Sequence, residues 1–579
     1  MLRRGVLLVQ TLCTVQGLYL HGRIRPRVNR VTMSAMASKG LDKLTTIVWL
    51  REELRLKDNA LLDHAQRRGG DVLPVFCFDD KVYSADAVSN YGPGKCGARR
   101  AQFVIESVAD LKQNLGKLNR PLVIRRGSAA DALKEVQKQL TASGRKVEIV
   151  CSASVCHEEQ KSEVLVETAL SQKLVRVWDA TLYHRDEACL PVEELFTNWR
   201  TKVEKKRTPI RPELQSLKKL GAAVHQVDEG SLPSLAELGY HAEDALPDLR
   251  GDFFNPKGGE TAALARLKQY VWDEDRLKDY FDTRNGMIGQ GYSTKLAPWL
   301  ARGCVSARTV ARECSRYEQK TGIKNKSTYW VVFELTWRDY FIFYSQKVGR
   351  KLFMYGGVID KAWPTSNKDA VALKKWQDGM TGEPLVDANM RELKSTGFMS
   401  NRGRQNVASY LIHDLGVDWR LGAAWFEQEL VDFTPEANWG NWHAAAGLQG
   451  GRVNKFNILK QSKDYDAQGA YVKLWCPELQ NVPAPNCFEP HKLNSADKQR
   501  YGSAAYPPPL GKATFVGASR QAAAPSRGGG GAPRGGAAPA AQGGNGSWGK
   551  LGPGKSKEQA ERDKKRKSKA NVQAAWNTD

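Results

Sequence analysis

Between Thr45 and Asp179, short β-branched runs alternate with longer stretches whose apolar residues recur every three or four positions. The runs are Thr45–Leu50, Val72–Phe78, Pro121–Arg125, Val147–Cys151 and Leu174–Trp178. Apolar runs of this length read as strands, and the intervening Ala101–Leu115 and Ala129–Leu140 read as amphipathic helices. The alternation predicts a doubly wound α/β domain with a parallel sheet over residues 44–184. Residues 185–254 are charged, contain proline and lack sustained periodicity, so they predict a connector running over the surface. From residue 255 to 489 the pattern is helical throughout, which predicts an all-α domain with its own core. Beyond Glu489 the chain turns to Ala, Gly and Pro, with a Tyr506–Pro509 run and Arg–Gly–Gly repeats starting at Arg527 and Arg534. Such a composition cannot offset the entropy of folding, and residues 490–579 are expected to be disordered.

Charge refines this picture. The formal net charge of the 579 residues is +24, of which residues 1–43 carry +7 and residues 501–579 carry +9. The folded body is only mildly basic, and the two ends are the parts suited to a polyanion. Residues 1–41 contain six Arg and one Lys but no acid, with Leu2 and Val6–Val9 apolar. This resembles a transit peptide over residues 1–43, for a chloroplast or mitochondrion; the alternative is a start at Met33 or Met36. Lys564–Lys567 offers a nuclear address instead, and the Arg–Gly–Gly tail is of a kind that binds RNA or undamaged single-stranded DNA. No apolar run reaches the length of a membrane span, so no membrane association is expected. Ten Cys at irregular spacing, with no Cys-x-x-Cys, give neither a disulfide framework nor a metal site. Gly549–Ser556 matches a P-loop and Gly92–Gly97 a dinucleotide fingerprint in letters only, since no strand precedes either.

The candidate chemistry lies in the helical half, where most of the sixteen Trp fall between Trp272 and Trp475. The run Ser395–Asn406 reads S-T-G-F-M-S-N-R-G-R-Q-N and is followed by Asp432 and by Asn438–Trp442. Asn401, Arg402, Arg404, Asp432 and Asn438 are groups that can hold a cofactor, and they stand among tryptophans that can pass it electrons. Ser293, Thr294 and Lys295, just before Leu296, suit a pyrophosphate at a helix start, although the same pattern makes an ordinary N-cap. Glu334 and Arg338 are four apart and read equally as a helix-face ion pair.

Four ordered segments resemble the cryptochrome/photolyase family. They are Thr45–Leu61; Thr283–Ser306 with its Tyr292–Leu300 core; Ser327–Tyr340 with Phe333–Glu334–Leu335–Thr336–Trp337–Arg338–Asp339; and Ser395–Leu479. Thr283–Met287, Phe398–Gln405 and Asn441–Trp442 are most similar to the DASH branch. The resemblance implies an FAD protein with a 5,10-methenyltetrahydrofolate antenna, acting as a monomer. It also implies light-driven splitting of cyclobutane pyrimidine dimers, preferentially in single-stranded DNA. The competing implication is a blue-light photoreceptor that binds nucleic acid without efficient repair.

Carried over by motif position, the resemblance places Tyr280, Ser293, Thr294, Lys295 and Leu296 on the FAD phosphates. Arg404 and Asp432 would form an ion pair beside the isoalloxazine, and Asn438 would face its reactive nitrogen. Trp442, Trp419 and Trp363 would relay electrons from the flavin outward. Glu334 would contact the dimer's base edge, Trp337 would stack on it, and Arg338, Asn401 and Arg402 would hold flanking phosphates. Glu158 would bind the antenna. The chain departs from the family pattern at Ala297, at Thr434 where a second acid is usual in the flavin contact, and over Leu448–Asn454.

Overall fold

The computed structural model describes residues 44–511, except 216–219, 222–226, 247, 249, 251–253, 362–369, 451, 452 and 454. The transit-peptide reading of residues 1–43, the Arg–Gly–Gly repeats and Lys564–Lys567 lie outside the described residues.

The predicted strands form to within two residues at each end: β1 Leu44–Leu50, β2 Asp71–Phe78, β3 Val123–Arg126, β4 Lys146–Ser152 and β5 Val175–Val177. They make one sheet in the order β3-β2-β1-β4-β5, with all four pairings parallel. Every residue of β1 is buried, as a central strand covered on both faces must be. The pleat sends Ile47 and Trp49 into one apolar layer and Val48 and Leu50 into another. The first layer is closed by helices α3 (Ala129–Ala142) and α4 (His157–Leu170). The second is closed by α1 (Ala60–Arg68) and α2 (Ala98–Gly116) and runs on without a break into the helical half.

Two expectations need correction. The connector carries a helix, α5 (Phe196–Lys205), whose Phe196 and Trp199 are buried. Its three buried apolar residues, Phe196, Trp199 and Val203, are embedded in a charged sequence, which hid the helical period. The chain also stays ordered past Glu489: residues 495–501 are helical, and Tyr506 is buried with its hydroxyl donating to Asp387 (2.6 Å). Residues 490–511 therefore belong to the folded body, and a single buried aromatic holds a segment that composition marks as disordered.

The helical half contains α6 (Glu260–Lys268), α7 (Ala307–Thr321), α8 (Lys326–Val348), α9 (Ala370–Gln377), α10 (Pro384–Thr396), α11 (Asn401–His413), α12 (Trp419–Glu429), α13 (Pro435–Ala445) and α14 (Ile458–Tyr465). Buried acids join it to the sheet domain. Glu260 accepts from the amides of Leu56 and Lys57 (2.8 Å each), and Asp339 accepts from those of Leu182 and Tyr183. Arg308 pairs with both Asp58 and Asp179 at 2.8 Å. Each of these groups would be costly to bury alone, and here each is paired or hydrogen-bonded, so they fix how the halves meet.

Candidate functional site

The helical half encloses a cavity of about 400 Å³, within the size range of small-molecule sites. Helix α11 starts beside it because Ser400 caps it by accepting from the Gly403 amide (3.0 Å). Gly403 is needed where α11 crosses α10, since a Cβ there would lie 1.8 Å from Asn389 Oδ1. This close crossing sets Arg404 and Asn401 on the cavity wall. Arg404 donates to the Met399 carbonyl (2.9 Å) and pairs with Asp432 Oδ2 (2.8 Å). Asp432 Oδ1 is buried without a partner, an acceptor that calls for a donor from a ligand. Asn438 lines the same wall, its amide NH2 donating to the Ala423 carbonyl (2.9 Å), and Thr434 adds a neutral hydroxyl in place of a second acid.

Tyr280, Ser293, Thr294, Lys295 and Leu296 line the same cavity. The helix that follows them, Ala297–Ala301, has only five residues, so its dipole is slight and the expectation of a strong helix-end field is corrected. The positive field comes instead from Lys295, which is buried with its ammonium 3.7 Å from the Tyr292 ring centroid and 4.2 Å from that of Phe398. Burial, helped by Arg266 and Arg404 nearby, lowers its pKa to about 7. Arg266 shapes the loop by donating to the carbonyls of Gln290, Ser293 and Thr294. Nothing in the sequence marked Arg266, which looks like any arginine on the polar side of a helix.

A buried cation, an orphaned carboxylate oxygen and an arginine fork, all lining one cavity, fit FAD. The fit gives a pH prediction. A diphosphate near Lys295 favours the ammonium, so binding takes up a proton once the pH exceeds about 7. FAD affinity should therefore fall above neutral pH by up to about tenfold per unit. Flavin retention measured against pH checks this, and Lys295→Met should flatten the slope; an unchanged slope in that variant rules out the assignment.

At the cavity's mouth, Glu334 on α8 pairs with Arg284 Nη1 (3.2 Å) and accepts from Trp330 Nε1 (3.1 Å). The partner is thus not Arg338 one turn on; Arg338 lines the cavity and donates to the Ala180 carbonyl (2.6 Å). Burial raises the Glu334 pKa, against the opposing pull of Arg284 and Trp330. Arg284 went unmarked although it lies within the Thr283–Met287 run, and its buried Nε has no partner. Asn401 is exposed at the mouth, and Arg402 sits at the rim with Nη2 donating to Asn285 Oδ1 (3.0 Å). Trp337 is not brought into the cavity. Its ring lies flat on Phe196 of α5, centroids 3.6 Å apart at 14°, so the connector helix covers a face expected to be open.

Trp442 lines the cavity; Trp419 does not line it and is buried against Trp439 and His443. A Cβ on Gly422 would lie 2.3 Å from Trp442 Cη2, so this glycine makes the room the indole occupies. Trp363 lies outside the described residues.

Glu158 is also misplaced by the sequence reading. It points outward and pairs with Lys95 (2.8 Å), with its side chain 67% exposed. The next residue, Glu159, lines a second cleft with Glu52, Cys156, Arg338 and Glu436, and burial pushes it up to about 8. Helical spacing held the clue, because Glu159 shares a face with Glu163, Val166 and Leu170. This cleft measures about 90 Å³, too small for a folate as it stands.

Two family models match the chain: DNA photolyase over residues 46–218 and the FAD binding domain of DNA photolyase over residues 330–519. A chloroplastic/mitochondrial cryptochrome DASH of Ostreococcus tauri is 42% identical over 496 residues, covering 80% of this chain and 89% of that protein. The cryptochrome DASH of Xenopus laevis is 43% identical over 466 residues, 78% and 86% of the two chains. The chain belongs to the DASH cryptochromes of the cryptochrome/photolyase family. Its fold agrees with the crystal structure of a Synechocystis cryptochrome, with a TM-score of 0.76 and 40% identity over 81% of this chain and 96% of that one. The helical half is thus an FAD-binding domain and the sheet half a photolyase-type domain. Among the described residues no helix is long and apolar enough to cross a membrane.

Proposed function

We propose that this DASH cryptochrome is a blue-light-dependent photolyase that splits cyclobutane pyrimidine dimers, preferentially in single strands. The observation that carries the reading is the cavity itself, with the Arg404–Asp432 pair on its wall, Trp442 beside it, and Glu334 held by Arg284 at its mouth. Bound there, a reduced FAD excited by blue light would supply the electron that opens the dimer and then take it back. Arg404 and Asp432 hold the isoalloxazine end, and Lys295 with Ser293 and Thr294 holds the diphosphate. Burial raises the pKa of the Glu334 carboxyl, and Arg284 and Trp330 hold it where it would meet the edge of a flipped-out base. Arg284 orients that carboxyl, and its unpartnered Nε suits a nearby phosphate. Single strands are favoured because flipping a paired base costs a few kcal/mol more.

A folate antenna would enter at Glu159, and the cleft must open to admit it. By analogy with the chloroplastic/mitochondrial relative, the basic N-terminal segment directs the protein to an organelle. The Arg–Gly–Gly tail adds contacts to RNA or undamaged strands.

One observation favours the photoreceptor reading: Phe196 covers the face of Trp337 on which a dimer would stack. Blue-light treatment of a dimer-containing single strand with the full-length protein, its flavin chemically reduced, separates the two. Loss of dimers is expected; their persistence, with flavin bound and reduced, leaves the photoreceptor.

A further inference from the structure

Two aromatic clusters lie by the cavity: Trp442 is in ring contact with Trp376 and Phe426, while Trp419 is in ring contact with Trp439 and His443, and the second cluster ends on an acid. Trp419 is buried, its indole N–H donates to the Tyr355 carbonyl (3.1 Å), and its ring neighbours are Trp439 at 5.8 Å and His443 at 6.0 Å. Trp439 on α13 is buried as well, but its N–H donates to a carboxylate oxygen, Glu427 Oε2, at 3.1 Å. The other Glu427 oxygen pairs with Lys95 (2.6 Å), and the carboxylate is itself buried. Trp376, the tryptophan in ring contact with Trp442, donates instead to the neutral carbonyl of Val407 (3.1 Å).

A tryptophan that has lost an electron carries a positive charge, and its N–H becomes a strong acid. An adjacent carboxylate stabilises that charge far better than a carbonyl dipole does, the more so away from water. Of these three indoles, Trp439 is the one so placed. Two further rings touch Trp439: Phe353 at 5.2 Å, which is far harder to oxidise than an indole, and Tyr91 at 5.6 Å, with the Arg420 guanidinium 5.2 Å from the tyrosine's ring centroid. A fixed cation there opposes a second positive charge, so the vacancy has no incentive to move on. On the inner side, His443 is buried with neither ring nitrogen partnered, and burial lowers its pKa to about 4. It is neutral, and leaves the passage from Trp419 unopposed.

We propose that Trp439 is a terminal electron donor of this protein, reached through Trp419, with Glu427 as the base that takes its indole proton. The proposal rests on the FAD-binding part of the reading above and concerns the other redox state: the bound flavin, when oxidised and excited by light, would be the oxidant. One electron passes from Trp442 into the cavity, one from Trp419 to Trp442, and one from Trp439 to Trp419. The Nε1–H bond of Trp439 then breaks, the proton goes to Glu427 Oε2, and a neutral indolyl radical remains. A thiolate in solution returns the electron, becoming a thiyl radical, and Glu427 returns the proton.

Transient absorption and electron paramagnetic resonance of the flavin-loaded full chain test this, since they distinguish protonated from deprotonated tryptophan radicals. Wild-type protein and Trp363→Phe should both give a long-lived deprotonated radical. Trp439→Phe should shorten the radical's lifetime about tenfold, equivalent to ~1.4 kcal/mol of lost stabilisation. Glu427→Gln still accepts the indole hydrogen bond, so the packing is kept, and it should leave the radical protonated. Unchanged spectrum and lifetime in Trp439→Phe, or loss of the long-lived radical in Trp363→Phe alone, overturns the inference while leaving the proposed function in place. No light-induced radical in the wild-type protein overturns both.

Discussion

Arg404→Ala is expected to weaken FAD binding by about 100-fold, and the purified variant should lose most of its yellow colour. Removing one partner of a buried ion pair costs ~3–5 kcal/mol, because the remaining charge is left uncompensated. Asp432 has 4% of its side chain exposed, with Oδ1 already unpartnered, so the variant leaves both carboxylate oxygens without a donor. Arg404 retains 27% exposure, which screens the pair and argues for the lower end, ~3 kcal/mol. Arg404→Lys separates charge from geometry. A lysine restores a cation but not the fork that reaches both Asp432 and the Met399 carbonyl, so intermediate retention is expected. Flavin released on denaturing each variant, per mole of folded protein, is the measurement; equal flavin in wild type and Arg404→Ala would mean the pair does not hold the cofactor.

What the sequence could and could not show follows from the range of each signal. Strand runs are local: Thr45–Leu50 is apolar at most positions because β1 is buried on both faces, and no other part of the chain need be known to see it. The cavity residues were legible for a related reason, since Ser400–Arg404 and Asp432–Trp442 are compact runs whose spacing fits helix starts. Partners brought from far away were not. Arg284 meets Glu334 across fifty residues, and Arg266 grips a loop more than twenty residues later. Phe196 and Trp337 are separated by still more sequence, and only the fold shows that one covers the other. Glu158 and Glu159 differ in a subtler way. Both are acids in the first turn of α4, and which one faces inward is fixed by the phase of Glu163 and Val166 further along the helix.

Trp442→Phe should abolish reduction of the flavin by light and an external thiol while leaving dimer splitting by chemically reduced protein largely intact. Trp442 is the indole on the cavity wall, with Phe426 at 5.1 Å and Trp376 at 6.1 Å behind it. A phenyl ring is far harder to oxidise than an indole, so the substitution keeps an aromatic filler and removes the electron source. The packing cost is modest. Gly422 would face a smaller ring in a space shaped for a larger one, and a partly filled core site costs ~1–2 kcal/mol, too little to unfold a domain of this size. The two activities would separate because, on the proposed reading, electrons would arrive through the Trp442 wall, whereas a dimer would meet the flavin near Glu334. Photoreduction at the wild-type rate in Trp442→Phe would show that electrons enter by another wall, and Trp439 would then lose its connection to the site along with Trp419. Loss of dimer splitting by the reduced variant would instead place Trp442 in contact with the substrate, and the separation between wall and mouth would fail.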